Sequence, residues 1–221
     1  MGSWRKRTAG ILLLLFAAVT AAPEVAGQSV TGADALIVSR ITRYLSDSTL
    51  GESIEAADAD GGILVSNPPL TARVLLDTEV RLARESRELL LLRLLSNRAV
   101  VDSGDFPRTV GVVLVRIARI DDWLLVAEVL RAAYAIGLDG TGRATLDVAA
   151  RIVRNLGDGS LETTTSASPY SRAAIAVAEC ATAYPSVPLA ELLVTIGELS
   201  RDARVVDACR RSASAVLQSM H

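Results

Sequence analysis

Along residues 106–217, apolar side chains recur at steps of three and four, in six stretches set apart by proline, aspartate and glycine. That spacing lines up one face of an α-helix, whereas a strand would alternate every second residue. Pro107 opens the first helix, with Val110, Val113, Leu114 and Ile117 on its apolar side. Asp121-Asp122 breaks it and caps the second, which carries Trp123, Val126, Val129, Leu130 and Ala133 up to Gly137. Thr141 or Thr145 caps the third (Leu146, Ala149, Ile152, Val153, Leu156), and Gly157 ends it in the position that favours a left-handed residue. After a polar stretch, residues 158–168, Ser168-Pro169 opens the fourth (Ala173, Ala174, Val177, Ala178, Ala181), which stops before Pro185. Ser186 and Pro188 start the fifth (Leu189, Leu192, Leu193, Ile196), and Asp202 caps the sixth (Val205, Val206, Cys209, Ala213, Val216, Leu217).

Upstream, Thr31 with Asp34 marks a helix start, and Leu36, Ile37, Ile41 and Leu45 give that helix one apolar side. Residues 47–68 are rich in Asp, Ser, Gly and Asn and predict a loop with at most one short extended piece. Pro69 begins the longest periodic stretch, a long helix to about Asn97. On it Arg81 and Glu85, and Arg84 and Glu88, stand four apart and can pair on the exposed side. Its leucine-rich end is apolar over more than one stripe and calls for neighbours on two sides.

Pairing the six helices gives three antiparallel hairpins starting near residues 107, 145 and 188, spaced by 38 and 43 residues. Two units run in parallel. Phe106-Pro107 to Ile117, Asp121-Asp122 and Val126 to Gly137 match Val187-Pro188 to Ile196, Arg201-Asp202 and Val206 to Leu217. In each a proline opens the first helix, an aspartate caps the second, and alanines line it. The pattern resembles HEAT- and armadillo-like repeats, whose period is about 40–47 residues, and Ala135-Ile136-Gly137 is similar to the Ala-Leu-Gly end of their second helix. The resemblance implies an all-α fold of hairpins stacked as a short solenoid. An irregular helical bundle can be built from the same amphipathic hairpins and is the alternative.

The first 28 residues depart from this rhythm. Arg5-Lys6-Arg7 precedes an apolar run over residues 9–22, broken only by Gly10 and Thr20, and then come Pro23 and the small residues Val25-Ala26-Gly27. A charged start, a short apolar core and a small-residue exit predict a secretory signal peptide. The core is shorter than the ~20 apolar residues that cross a bilayer, which disfavours the competing reading of an uncleaved anchor. The expectation is cleavage after Gly27, with Ala21 the next candidate. Residues 28–221 would then form one α-helical domain, with residues 28–105 giving N-terminal helices and a loop and residues 106–221 the three hairpins. Such a protein is exported, periplasmic or secreted, with no stable membrane insertion after cleavage.

Charge narrows the partners. Lys6 is the one lysine, and removing Arg5, Lys6, Arg7 and Glu24 leaves 20 arginines against 24 acids. A mildly acidic chain with interspersed signs carries no basic footprint for nucleic acid. Aromatics are only 4% of residues, and alanine, leucine and arginine favour helix over a β-rich core.

Catalytic chemistry finds few materials. The only histidine is the last residue, His221, so a Ser-His-Asp or Cys-His centre lacks a positioned imidazole and a histidine-bearing zinc site lacks its ligands. Asp102-Ser103-Gly104 matches the short aspartic-peptidase signature, but that chemistry needs two aspartates across a β-rich cleft, and here a turn between helices is expected. Asp58-Ala59-Asp60-Gly61 matches half a calcium loop without the closing glutamate, and with Glu52 and Glu55 it reads as a solvated face. No catalytic, cofactor-binding or metal-ligating residue is therefore assigned. Cys180 and Cys209 lie one repeat apart on second helices, so a disulfide is open to them in an oxidising compartment, and two separate buried thiols are the other reading. Trp123, the only tryptophan outside the signal, is expected to pack near Ile117 and Ile120 and close the first hairpin, or else to serve as an exposed anchor for a partner. The functional expectation is a non-catalytic interaction or scaffold module of the cell envelope whose partner is another protein. The alternative is an envelope enzyme or small-ligand binder using Glu79, Arg81, Glu85 and Arg87.

Overall fold

The computed structural model describes residues 32–77, 80–159 and 169–220. The chain divides into Met1–Ala35, of which only the opening of the first helix is described, and Leu36–His221, which holds the remainder. Among the described residues the protein is all-α, with eleven α-helices and no strand. They are α1 (Gly32–Asp47), α2 (Leu50–Asp58), α3 (Pro68–Leu76), α4 (Arg84–Ser96), α5 (Arg98–Val101), α6 (Phe106–Leu114), α7 (Trp123–Ala135), α8 (Thr141–Gly157), α9 (Pro169–Ala181), α10 (Val187–Leu199) and α11 (Ala203–Ser219), with a 3-10 turn at Ile117–Arg119.

The six helices of the second half stand close to where the spacing put them, except that α6 ends at Leu114 and Ile117 falls in the 3-10 turn. Side-chain caps start two of them. Asp122 accepts from the N–H groups of Leu124 (2.7 Å) and Leu125 (3.2 Å) to begin α7, and Asp202 accepts from Arg204 N–H (2.9 Å) to begin α11. Asp202 is buried, which by itself raises its carboxyl. The Ser171 hydroxyl, the Arg204 N–H and the Arg204 charge overcome that and hold it below the usual carboxylate range. Neither threonine caps α8. Gly140, at φ +85°, is its N-cap, while the Thr141 hydroxyl donates to Leu138 O (2.5 Å) and the Thr145 hydroxyl to Thr141 O (2.8 Å), which lets both be buried. At the other end of α8 the left-handed residue is Gly159 (φ +76°) rather than Gly157, which is still helical.

Two stretches of the first half differ from expectation. Residues 47–68 are not all loop, because Thr49 and Glu52 form a capping box that starts α2. Glu52 N–H donates to the Thr49 hydroxyl (3.3 Å) and Thr49 N–H to the Glu52 carboxylate (2.7 Å). The single long helix from Pro69 to Asn97 is two helices, α3 and α4, parted after Asp77. The two lie against different neighbours, α3 on α6 and α4 on α2 and α7, which one straight helix could not serve. Leu36, assigned to the apolar side of α1, is exposed, whereas Ile41 and Leu45 are buried as expected.

Packing follows a regular order. The helices α2, α4, α7, α9 and α11 each lie on the next, while α3 lies on α6 and α8 on α10. One continuous apolar cluster runs from Ile41 to Val216. α9, touched by α7, α8, α10 and α11, is buried around most of its circumference, and its alanines at 173, 174, 176, 178 and 181 keep it slim enough for them. Asn97 ties the early helices together: its carbonyl oxygen accepts from Ala99 N–H (2.8 Å) to start α5 and its amide donates to Ala57 O (2.9 Å) at the end of α2.

Candidate functional site

Side chains from α4 and α8 converge on the connector between α6 and α7. Glu88 lies on the same stripe of α4 as Leu91 and Leu95, so the helix carries its carboxylate into the interior with them. There it accepts from Asp121 N–H (3.0 Å) and Asp122 N–H (2.7 Å), the two peptide groups immediately before α7. Arg84, one turn earlier, donates to the same carboxylate (3.1 Å), pairs with the Asp121 carboxylate and donates to Arg119 O. Burial opposes the charge on Arg84, but Glu88 and Asp121 outweigh it and raise the guanidinium pKa.

From the other side Arg151 of α8 reaches the same connector. It donates to Ala118 O (3.0 Å) and Ile120 O (2.5 Å). Its guanidinium lies 3.9 Å from the centre of the Trp123 ring, a cation–π contact. Its Nε and Nη2 are buried without a hydrogen-bond partner among the described residues. Burial lowers the Arg151 pKa, the Asp121 and Glu88 carboxylates act against that, and Arg84 and Arg154 reinforce it. The arrangement clamps the connector: every bond from Glu88, Arg84 and Arg151 to backbone goes to residues 118–122.

Trp123 is half-buried against the core, with Arg151 of the following hairpin over one ring face. It is neither enclosed like Ile117 and Ile120 nor bare like a free anchor. A double-mutant cycle of Trp123→Leu and Arg151→Met, read by urea unfolding, is expected to give a coupling of about 1 kcal/mol. Additive losses would reduce the contact to simple adjacency.

Cys180 and Cys209 are both free and buried. They face different neighbours, the Cys180 thiol lying 3.7 Å from Leu130 O on α7 and Cys209 packing beside Gly197 of α10. Burial pushes the Cys180 thiol up to about 11 and Cys209 up to about 12, so neither is an activated nucleophile. A thiol reagent at pH 8 should leave the native protein unlabelled and label both residues after unfolding without reductant. Two thiols missing in the unfolded state would mean that they are bridged.

The remaining candidates are committed to local structure. Asp102 pairs with Arg98 (3.3 Å) and the Ser103 hydroxyl donates to Val100 O (2.7 Å), which makes Asp102-Ser103-Gly104 the turn that the sequence suggests. Asp58 ends α2 and pairs with Arg93 (3.6 Å), and Glu52 serves its cap, whose Thr49 N–H holds the carboxyl below its ordinary range. Arg81 and Glu85 are exposed, while Arg87 is half-buried and donates to Asp77 O. Glu79 and His221 lie outside the described residues. Among the described residues no three histidine, cysteine or acidic side chains are grouped to hold a metal ion. No helix there is long and apolar enough to cross a membrane. Comparison with protein-family models, curated proteins and solved structures found no match.

Spacing four residues apart predicts Glu88 as an exposed partner of Arg84, and the structure buries it instead; an acid in register with Leu91 and Leu95 is the signal of a buried acceptor. Arg151 carries the same signal, in register with Ala144 and Val148.

Proposed function

We propose that the chain is an exported, non-catalytic protein-interaction or scaffold module of the cell envelope, built from helical hairpins stacked in a HEAT-like manner. The observation that supports it is the order of packing. Hairpins starting at Pro68, Phe106, Thr141 and Val187 each set their second helix on that of the hairpin before, and α2 plays that part for the first. Ion pairs bridge successive second helices, Asp58–Arg93 between α2 and α4 and Arg131–Glu179 (3.0 Å) between α7 and α9. Stacked units of this kind offer a long surface and meet one another only as neighbours.

The partner is another protein, and neither nucleic acid nor a cofactor enters this reading. Its recognition face is the outer side of the second helices, where Tyr134 of α7 stands exposed one turn after Arg131. Tyrosine is a favoured interface anchor because it buries a large apolar ring and keeps a polar tip. Photo-crosslinking residues placed at Tyr134, Arg172 and Ser214 should capture one and the same envelope protein from at least two of the three positions. Absence of any adduct at all three sites would remove this face from consideration.

A further inference from the structure

We propose that copies of this chain associate head to tail, the outer row of α10 in one copy docking on the outer row of α1 in the next. The proposal rests on the stacked-hairpin reading, in which α1–α2 and α10–α11 are opposite ends. Among the described residues, six of the eleven large apolar side chains left exposed lie on α1, α2, α10 and α11. On α1 the exposed residues Leu36, Arg40 and Arg43 follow one another at steps of four and three. On α10 Val187, Glu191, Val194 and Glu198 do the same. Leu36 is 70% exposed, Val187 53% and Val194 45%, so the α10 row alternates apolar and acidic side chains, and the α1 row is one leucine followed by two arginines.

The charges are opposite. α10 carries two glutamates and no basic residue, and the exposed row of α1 carries two arginines. None of these four makes an ion pair with another described residue. The first helices between them lack the pattern, since α8 exposes Arg143 and Arg154 and α6 exposes Arg108. An α10 row can therefore meet an α1 row with opposite charge and an exposed apolar residue on each side, while α10 against α10 sets glutamate on glutamate. A contact between two different faces leaves both ends of every dimer open, so assembly goes on to a chain or closes into a ring.

Sedimentation of the purified chain at low salt should show a mass that grows with concentration beyond a dimer and falls as salt screens the charges. Arg40→Glu with Arg43→Glu, and separately Glu191→Arg with Glu198→Arg, should each weaken association by about tenfold or more. All four residues are exposed, and an unchanged helical spectrum confirms that each variant is folded. An equimolar mixture of the two variants, and the single chain carrying all four reversals, should each recover association. A monomer at every concentration, an assembly indifferent to either reversal, or no recovery in the fourfold variant would each overturn the proposal. Crosslinking from Tyr134 reports on a different face, so capture there by a chain that sediments as a monomer would leave the module reading standing and this one refuted.

Discussion

Replacing Glu88 by alanine is expected to cost about 3 kcal/mol of stability, roughly 6–12 °C in midpoint for a domain of this size. The loss arises at the connector, where the N–H groups of Asp121 and Asp122 would have no acceptor in a part-buried place. A buried donor left unmade costs about 1–3 kcal/mol. Arg84 adds little, because its side chain is half-exposed and water can take over its charge. Glu88→Gln keeps one carbonyl oxygen and should lose about half as much. Urea unfolding of both variants checks the order, and an alanine variant within about 0.5 kcal/mol of the parent would mean that the connector holds its shape without the carboxylate.

Leu130→Ala should be at least as damaging, with an expected loss of about 3–4 kcal/mol. The side chain is fully enclosed on α7, the helix that lies on α9. Its removal forfeits the transfer free energy of the lost methyls and opens a void that two rigid helices cannot close. Leu217→Ala on α11 is the control: that leucine is 42% exposed, and its removal should stay within about 0.5 kcal/mol. Equal losses at the two positions would contradict the burial that separates them.

The second half of the fold was legible because five of its six helices announced themselves twice, by apolar spacing and by a proline or aspartate at the start, and α8 by its spacing alone. Val110, Val126, Ile152, Val177, Leu193 and Val205 came out buried on the faces assigned to them, whereas Leu217, assigned to the apolar side of the sixth helix, is exposed near the end of α11. The first half was harder to read. The Thr49 and Glu52 pair is a legible cap, but the surrounding Asp, Ser and Gly outweighed it by composition. The break between α3 and α4 arises from tertiary demand, because Leu75 and Leu91 are buried in helices with different neighbours, and spacing along the chain carries no such information. The clamp at residues 118–122 is of the same kind. Which backbone groups Glu88 and Arg151 would meet depends on how α4 and α8 approach the connector, and periodicity is silent on that. The cysteines could be put on apolar faces, but a face does not say whether two thiols look toward each other.

The regular order of packing also bears on how the chain is made. Arg131 reaches Glu179 across 48 residues of sequence, and the Cys180 thiol reaches Leu130 O across 50. A chain emerging from the ribosome N-terminus first therefore has α7 ready and waiting when α9 appears, and at about 5–20 residues per second the wait is roughly 2–10 s. During that interval the apolar face of α7 that receives α9 is open to solvent. It is then covered by the next hairpin of the same chain.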